Sequence, residues 1–197
     1  MSQADDPATG TVGDLGEFAL IGRATAGRVH PPSVTIGPGD DAAVVAAPDS
    51  RVVVTTDMLV EGRHFRLDWS SHHDVGRKAI AQNAADIAAM GARCTGFLVS
   101  MSCPSTTAVS DVDALTAGLW AEAARVGASI VGGDVTGGDR LVLSIPALGD
   151  LEGRPPVVRS GARAGDVLAL SGPTGRSAAG WALYEAGSTT YPDLLAA

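Results

Sequence analysis

The sequence predicts an α+β fold, because short runs rich in Val, Ala and Thr alternate with two long amphipathic segments and with Gly- and Pro-rich turns. The 197 residues, of which 45% are hydrophobic, suit one full domain and part of a second. We expect a first domain over residues 14–150, with a mixed or antiparallel sheet flanked by helices, and the beginning of a second, α/β domain over residues 151–197. The polar residues 1–13 predict a disordered lead.

Four segments are predicted to be helices, two of them, 15–26 and 72–90, from the three-to-four spacing of apolar residues that is typical of an amphipathic helix. The clearest covers residues 72–90 and ends at Gly91, where a helix C-terminus favours glycine. A short helix over residues 15–26 is predicted to begin at Asp14 as its N-cap. The other two segments are 111–126, followed by Gly127, and 177–186.

The strands are predicted from runs of Val, Ile, Thr and Ala that are bounded by Gly, Pro or Asp. Before a Gly-, Pro- and Arg-rich link near Asp150 they cover residues 33–37, 42–47, 52–60, 95–101, 130–135 and 141–147. One further strand is predicted after the link, at residues 167–171.

The composition argues against several partners and locations. A net charge of -8 disfavours binding to nucleic acid or to anionic membranes. The sequence contains no run of about 18 apolar residues that would span a membrane, and its N-terminus lacks the basic and apolar regions of a signal peptide. Cys94 and Cys103 would lie about 30 Å apart on one strand, too far for a disulfide. We therefore expect a reduced, cytoplasmic protein.

Four aspartates stand at predicted strand ends or among small apolar residues. They are Asp41 in GPGDDAAVV, Asp57 in VVVTTDM, Asp86 in QNAADIAAMGA and Asp134 in IVGGDVTGG. Taken singly, each fits a solvated turn or helix residue. If the four converge they are costly, because two carboxylates about 4 Å apart repel by roughly 4 kcal/mol at an effective dielectric constant of 20.

A bound cation would remove this repulsion. Carboxylates together with the hydroxyl oxygens of Thr55 and Thr56 suit Mg²⁺, which keeps several waters and bridges to phosphate. Zinc is disfavoured, because neither the two cysteines nor the four histidines have ligand spacing. The residues alone therefore predict either solvated acids or a magnesium site that holds an anionic substrate.

Other phosphate-binding and nucleophilic motifs fit poorly. Residues 37–42 match the dinucleotide fingerprint, but they precede a predicted strand instead of a helix. Lys78 is the single lysine and lies in GRKAI, so a Walker A loop and the kinase strand lysine are both lacking. The sequence has no GxSxG motif and no Cys/His pair that would indicate a covalent nucleophile.

An ordered set of short segments resembles the thiamine-monophosphate kinases, a family of the AIR-synthetase-like (PurM-like) ATP-binding superfamily. The segments are LGEFALI at 15–21, GPGDDAAVV at 37–45, TTDMLVEGRHF at 55–65, GRKAIAQNAADIAAMGA at 76–92, GGDVT at 132–136 and RSGARAGDVLALSG at 159–172. The resemblance implies a PurM-like N-terminal domain and ATP-dependent phosphorylation of thiamine monophosphate to thiamine diphosphate. It also implies several Mg²⁺ ions, with ATP as co-substrate, and a homodimer built through the N-terminal domains.

The resemblance also implies roles for individual residues. The implied metal ligands are Asp41, Thr55, Thr56, Asp57, Asp86 and Asp134, and the implied ATP contacts are Gly133, Asp134 and Arg159. His64 would contact the thiamine substrate, and no catalytic residue is implied beyond the metal ligands. This suits the reaction, because the acceptor is a phosphate oxygen that is already largely ionised at neutral pH, so that in-line transfer needs no strong general base. From the residues alone, Arg159 can equally be a solvated linker charge and His64 a satisfied histidine at a strand end.

Two departures from the family pattern matter. The segment GRSAAG at 175–180 carries Arg176 where the family has Asp. The family chain is also longer, with a further acidic motif and part of the thiamine pocket in its second domain. The sequence stops before both, so we expect a fragment with an incomplete site.

Two alternative functions stay open. One is a different PurM-like, ATP-dependent enzyme of the AIR-synthetase or selenophosphate-synthetase type. It is disfavoured because the reactive cysteine of the latter and the lysine-containing motif of the former are not found. The other is a non-catalytic, metal-binding dimerisation module, which would show no Mg²⁺-dependent nucleotide binding.

Overall fold

The computed structural model of the chain describes residues 10–39 and 42–188. The chain divides into two compact units, Met1–Val157 and Val158–Ala197. The predicted α+β fold class is confirmed, because the first unit combines a mixed sheet with packed helices. Within the described part, no helix has the length and apolar character needed to cross a membrane.

The first unit contains four helices and six strands among its described residues. In chain order these are α1 Val12–Leu15, α2 Glu17–Thr25, β1 Val34–Ile36, β2 Val44–Val45, β3 Val53–Val60, α3 His72–Ala89, β4 Arg93–Cys103, α4 Val109–Arg125, β5 Ile130–Gly137 and β6 Val142–Asp150. The second unit contains a short 3-10 turn, Arg159–Gly161, and the helix α5, Arg176–Glu185.

The central sheet has the strand order β3-β6-β4-β5, so that β3 and β5 are its edges. β6 runs antiparallel to both β3 and β4, whereas β5 runs parallel to β4. The hairpin of β1 and β2 is a separate antiparallel pair. α3 packs against α4 and against β3, β6 and β4. The core between helices and sheet contains fully buried Ile80, Ile87, Phe97, Leu143 and Ile145, each of which stabilises the fold by about 1.5–3 kcal/mol.

The crossing of α3 and α4 is unusually close because glycines face the partner helix. A Cβ atom on Gly76 would lie 2.2 Å from the carbonyl oxygen of Leu115, and one on Gly118 would lie 2.0 Å from that of His73. The buried carboxylate of Glu122 accepts hydrogen bonds from Arg125 at 2.7 Å and from Arg77 on α3 at 3.0 Å. This crossing fixes the position of α3 on the sheet.

The predicted helix over residues 15–26 differs from the structure in its start and its continuity. Thr11, not Asp14, is the N-cap, and Asp14 accepts a hydrogen bond from the Thr11 main-chain N–H at 3.1 Å, which completes a capping box. Gly16, with φ 77°, then separates α1 from α2. Residues 10–13 of the predicted lead belong to this structure, whereas residues 1–9 lie outside the described residues.

The strand predicted at residues 167–171 is wrong. Val167 and Leu168 are 90% and 99% exposed, and the segment forms no regular element. A strand needs a hydrogen-bonded neighbour, and the described residues of the second unit contain none. The apolar run at residues 167–171 is therefore not sufficient to form a strand.

Candidate active site

Two of the predicted metal ligands, Asp57 and Asp86, lie where α3 passes the edge strand β3. The Thr55 Oγ1 hydroxyl donates to Asp86 Oδ2 at 3.3 Å. The Gln82 Nε2 amide donates to Asp57 Oδ2 at 3.1 Å. We call Thr55, Asp57, Gln82, Asn83 and Asp86 the α3–β3 seam. This seam joins the TTD and ADIAAMGA segments of the sequence.

Periodicity explains why these residues meet. Alternate strand residues share a face, so Thr55 and Asp57 both face α3, and Thr56 lies on the opposite face. Asn83 is 1% exposed, and its Oδ1 accepts a hydrogen bond from the Asp57 main-chain N–H at 2.8 Å. Its Nδ2 donates to the Ala79 carbonyl oxygen at 2.9 Å. Asn83 is therefore a buried, fully hydrogen-bonded residue beneath the exposed carboxylates of the seam.

The donor set of the seam fits Mg²⁺ in part. It offers carboxylate and hydroxyl oxygens, the ligands that Mg²⁺ prefers. Within the described residues, neither Asp57 nor Asp86 forms an ion pair that would neutralise it. Across residues 10–39 and 42–188, no group of three or more His, Cys, Asp or Glu side chains could hold a metal. The seam thus supplies two carboxylates and a hydroxyl, and water or substrate oxygens would complete a coordination shell.

Asp134 lies away from the seam. Asp134 pairs with Ser100 on β4, and Ser100 pairs in turn with Ser144 on β6. Asp57 on β3 pairs instead with Ile145, the residue that follows Ser144. Successive strand residues point to opposite faces, so Asp134 and Asp57 lie on opposite faces of the sheet. They also lie on opposite edge strands, separated by three strand spacings of about 4.8 Å each. The fold of this unit does not bring these two predicted ligands together.

A cavity of about 940 Å³ borders β5 and receives the second group of predicted residues. Gly133 and Asp134 line it, as do Gly39 and Ala42, which flank the acidic pair of the GPGDDAAVV segment. Asp41 itself lies outside the described residues. Apolar side chains of α2 and α4 form much of the remaining wall. The volume falls within the range of about 300–1,000 Å³ that is usual for ligand pockets.

His64 lies in the turn that follows β3. Its main-chain N–H donates to the Val60 carbonyl oxygen at 2.9 Å, and its Nδ1 accepts from the Val60 main-chain N–H at 3.0 Å. Phe65 is buried and anchors the turn, while the His64 side chain is exposed. The ring therefore has a defined orientation on the surface, at the end of the strand that carries the seam.

Two arginines singled out from the sequence, Arg159 and Arg176, lie in the second unit. Arg159 is exposed and begins the 3-10 turn. Arg176 is the first residue of α5 and follows Gly175, whose left-handed φ of 87° ends the preceding turn. An ATP contact at Arg159 stays a prediction.

Sequence reasoning missed Gln82 and Lys78 as members of this region. Lys78 Nζ donates to the His64 carbonyl oxygen. Together with Asp86, these residues recur every four positions along α3, so they form one stripe on the helix. That spacing was present in the sequence, but Gln and Lys on a helix usually indicate only a solvated face.

The sheet has two helices on one face and acidic residues at both edges. These features describe the fold, and the family to which the fold belongs comes from comparison with known proteins. The family model "AIR synthase related protein, N-terminal domain" matches residues 39–151. The chain belongs to this family, and the PurM-like fold predicted from the sequence is confirmed.

Particular relatives are thiamine-monophosphate kinases. The thiamine-monophosphate kinase of Mycobacterium tuberculosis is 57% identical over 184 residues, which cover 93% of this chain and 55% of the relative. The crystal structure of thiamine monophosphate kinase from Aquifex aeolicus is 32% identical with a TM-score of 0.69, covering 93% of this chain and 58% of that chain. The structure of AaThiL complexed with AMPPCP and TMP is 30% identical with a TM-score of 0.50, covering 69% of this chain and 42% of that chain.

These comparisons confirm the resemblance predicted from the sequence segments. The chain spans about half the length of the curated relatives it matches. The comparisons therefore relate this chain to one half of those proteins.

Proposed function

We propose that the chain contributes to the ATP-dependent phosphorylation of thiamine monophosphate to thiamine diphosphate. The proposal is supported by the 57% identity to a thiamine-monophosphate kinase and by the complex of AaThiL with AMPPCP and TMP. The observation that carries it is the α3–β3 seam, in which Asp57 and Asp86 stand exposed and without an ion pair among the described residues. Exposed carboxylate oxygens without a cationic partner remain available as ligands for a hydrated Mg²⁺ ion.

Thr55, Asp57 and Asp86 would hold Mg²⁺, and Thr56, Asp134 and Asp41 stay proposed ligands for further ions. When bound, Mg²⁺ neutralises developing charge on the transferred phosphoryl group. Gln82 engages one oxygen of Asp57, and the other oxygen would be available to the ion. Asn83 fixes the main chain beneath it. The protein therefore contributes mainly by positioning, because the acceptor phosphate oxygen is already ionised.

ATP is proposed to contact Gly133 and Asp134 at the cavity beside β5 of the first unit. Arg159 of the second unit is a separate proposed ATP contact. Gly133 lines the cavity, and its lack of a side chain is required by the neighbouring strand, because a Cβ there would lie 1.9 Å from the Val99 carbonyl oxygen. Arg159 offers a planar guanidinium that matches phosphate. His64 offers a ring N–H to thiamine monophosphate.

A homodimer through the first unit is also proposed. The sheet face away from α3 carries apolar residues in water, with Val54 64% exposed and Met58 53% exposed. In the described sheet, β3 and β5 are edge strands with a neighbouring strand on one side only. A second copy would cover this face. The free, buried Cys94 and Cys103 support the cytoplasm as the location.

Isothermal titration with a non-hydrolysable ATP analogue tests the proposal. We expect binding with Mg²⁺ and a large loss of affinity with EDTA, and thiamine diphosphate formation in a coupled assay on the complete gene product. Mg²⁺ binding without nucleotide binding would support the non-catalytic dimerisation module instead. Equal nucleotide affinity with and without EDTA would overturn the role of the seam.

A further inference from the structure

Lys78 is the single lysine of the sequence, and it faces the turn that carries His64. Its ammonium group donates a hydrogen bond to the His64 carbonyl oxygen. Lys78 is exposed, so this bond is not needed to satisfy a buried cation. An exposed lysine normally stays mobile in water, because fixing its long side chain costs rotamer entropy. The contact with the His64 carbonyl oxygen joins α3 to the turn, in addition to the main-chain hydrogen bonds that the turn makes itself.

The turn determines which ring nitrogen of His64 is available. The Val60 main-chain N–H can only donate, so His64 Nδ1, at 3.0 Å, must accept. The neutral ring therefore carries its proton on Nε2. The exposed side of the ring thus presents an N–H donor, the group that suits a phosphate oxygen.

Lys78 continues the stripe that organises the seam. Asp86 contacts Thr55, Gln82 contacts Asp57, and Lys78 contacts His64, at intervals of four residues along α3. One helix face therefore fixes three successive points of β3 and its turn. The two points nearer the C-terminus of α3 carry proposed metal ligands, and the third carries the proposed substrate contact.

We propose that Lys78 is a positioning residue that holds the turn over residues 61–65, so that His64 presents its Nε2–H to the phosphate-bearing substrate. The identity of that substrate, thiamine monophosphate, rests on the proposed function. Lys78 acts through the main chain of His64 and not on the reacting atoms. Loss of its bond frees the turn, and the ring then populates both tautomers.

Three variants test this role. Lys78→Met keeps most of the length of the side chain but removes its charge and donors, and Lys78→Arg keeps a cationic donor. Arg140→Met removes an exposed charge next to Leu141, which bonds to Glu61 at the start of the same turn. Nitrogen NMR of the imidazole rings, assigned with a His64→Gln variant, should show one Nε2–H tautomer for His64 in the wild type, in Lys78→Arg and in Arg140→Met. Lys78→Met should show a mixture of tautomers.

Titration with thiamine monophosphate gives the functional measurement. We expect Lys78→Met to raise the Kd about tenfold, the equivalent of one charged hydrogen bond, with nucleotide affinity in Mg²⁺ unchanged. Lys78→Arg should stay within about threefold of the wild type. A loss of thermal stability with an unchanged tautomer would show a merely structural role and overturn the proposal.

The two proposals fail differently. A wild-type chain that does not bind thiamine monophosphate contradicts the proposed function, while the tautomer measurement still decides the role of Lys78. A wild-type chain that binds, with Lys78→Met matching it in both tautomer and Kd, contradicts only the role of Lys78.

Discussion

The Asn83 side-chain oxygen accepts a hydrogen bond from the main-chain N–H of Asp57 at 2.8 Å. Asn83 belongs to the buried face of α3, whereas the Asp57 carboxylate is exposed on the edge strand. The Asn83 side chain therefore holds the main chain of Asp57, a proposed metal ligand, at a fixed position relative to α3. Because an edge strand has a neighbour on one side only, this bond replaces part of the ladder that β3 lacks.

Replacement of Asn83 by Leu should destabilise the fold. Leu has the same branching with larger end groups, and it leaves the Asp57 N–H without its acceptor and removes the bond to Ala79. Leaving a buried polar group unpaired costs about 1–3 kcal/mol. Urea unfolding of Asn83→Leu should show this loss, while Gln82→Leu, which affects only an exposed contact, should stay within about 0.5 kcal/mol of the wild type. Equal stability of Asn83→Leu and wild type would contradict the anchoring role.

The seam, apart from Gln82, could be predicted from the sequence because it depends on local periodicity. Alternation places Thr55 and Asp57 on one face of β3, and the helical period places Asn83 and Asp86 on one side of α3. The position of Asp134 could not be predicted in this way. It depends on β6 inserting between β3 and β4, a long-range pairing that short sequence patterns do not encode.

Asp86→Asn should separate a metal ligand from a solvated residue. The change keeps the shape but removes one negative charge beside Asp57. We expect the stability of the metal-free protein to be unchanged or higher, because a repulsion is removed. The Mg²⁺-induced rise in Tm should shrink, and turnover should fall by about 100-fold or more. Thermal scans with and without Mg²⁺, with a coupled assay, measure both effects on one sample.

The control for Asp86→Asn is Asp139→Asn, which removes one exposed negative charge in the connection after β5. This variant should keep the Mg²⁺-induced shift and the turnover of the wild type. Normal turnover and a normal Mg²⁺ shift in Asp86→Asn would remove Asp86 from the site.

Gly118→Ala should destabilise the protein although Ala favours helices. The added Cβ would lie 2.0 Å from the His73 carbonyl oxygen, so α3 and α4 must separate. Overpacking of this kind costs about 1–3 kcal/mol or more. Gly22→Ala on α2 meets no atom within 4 Å, and it should stabilise by about 0.5–1 kcal/mol through helix propensity. Opposite signs in urea unfolding are expected, and stabilisation by both changes would contradict the close crossing.

Cys94 should make the stability of the fold sensitive to alkaline pH. Burial raises the pKa of its thiol from the ordinary 9.0 to about 11. The folded state therefore retains the proton to a higher pH than the unfolded chain does. The stabilisation is complete below about pH 9 and is lost as pH rises towards 11. The loss attributable to this thiol is on the order of 2 kcal/mol.

Cys103 is also buried with a raised thiol pKa, so the measurement needs a Cys103→Ala background that leaves one thiol. Urea unfolding at pH 8 and at pH 10.5 then compares this background with the same chain carrying Cys94→Ala. Lysine and tyrosine ionisation is common to both proteins, so the difference between their pH responses isolates Cys94. We expect the chain with Cys94 to lose more stability at pH 10.5, and its native thiol to react slowly with a disulfide reagent at pH 8 because little thiolate is present. The same loss of stability in both proteins would contradict the raised pKa and show that the strand opens to water around Cys94.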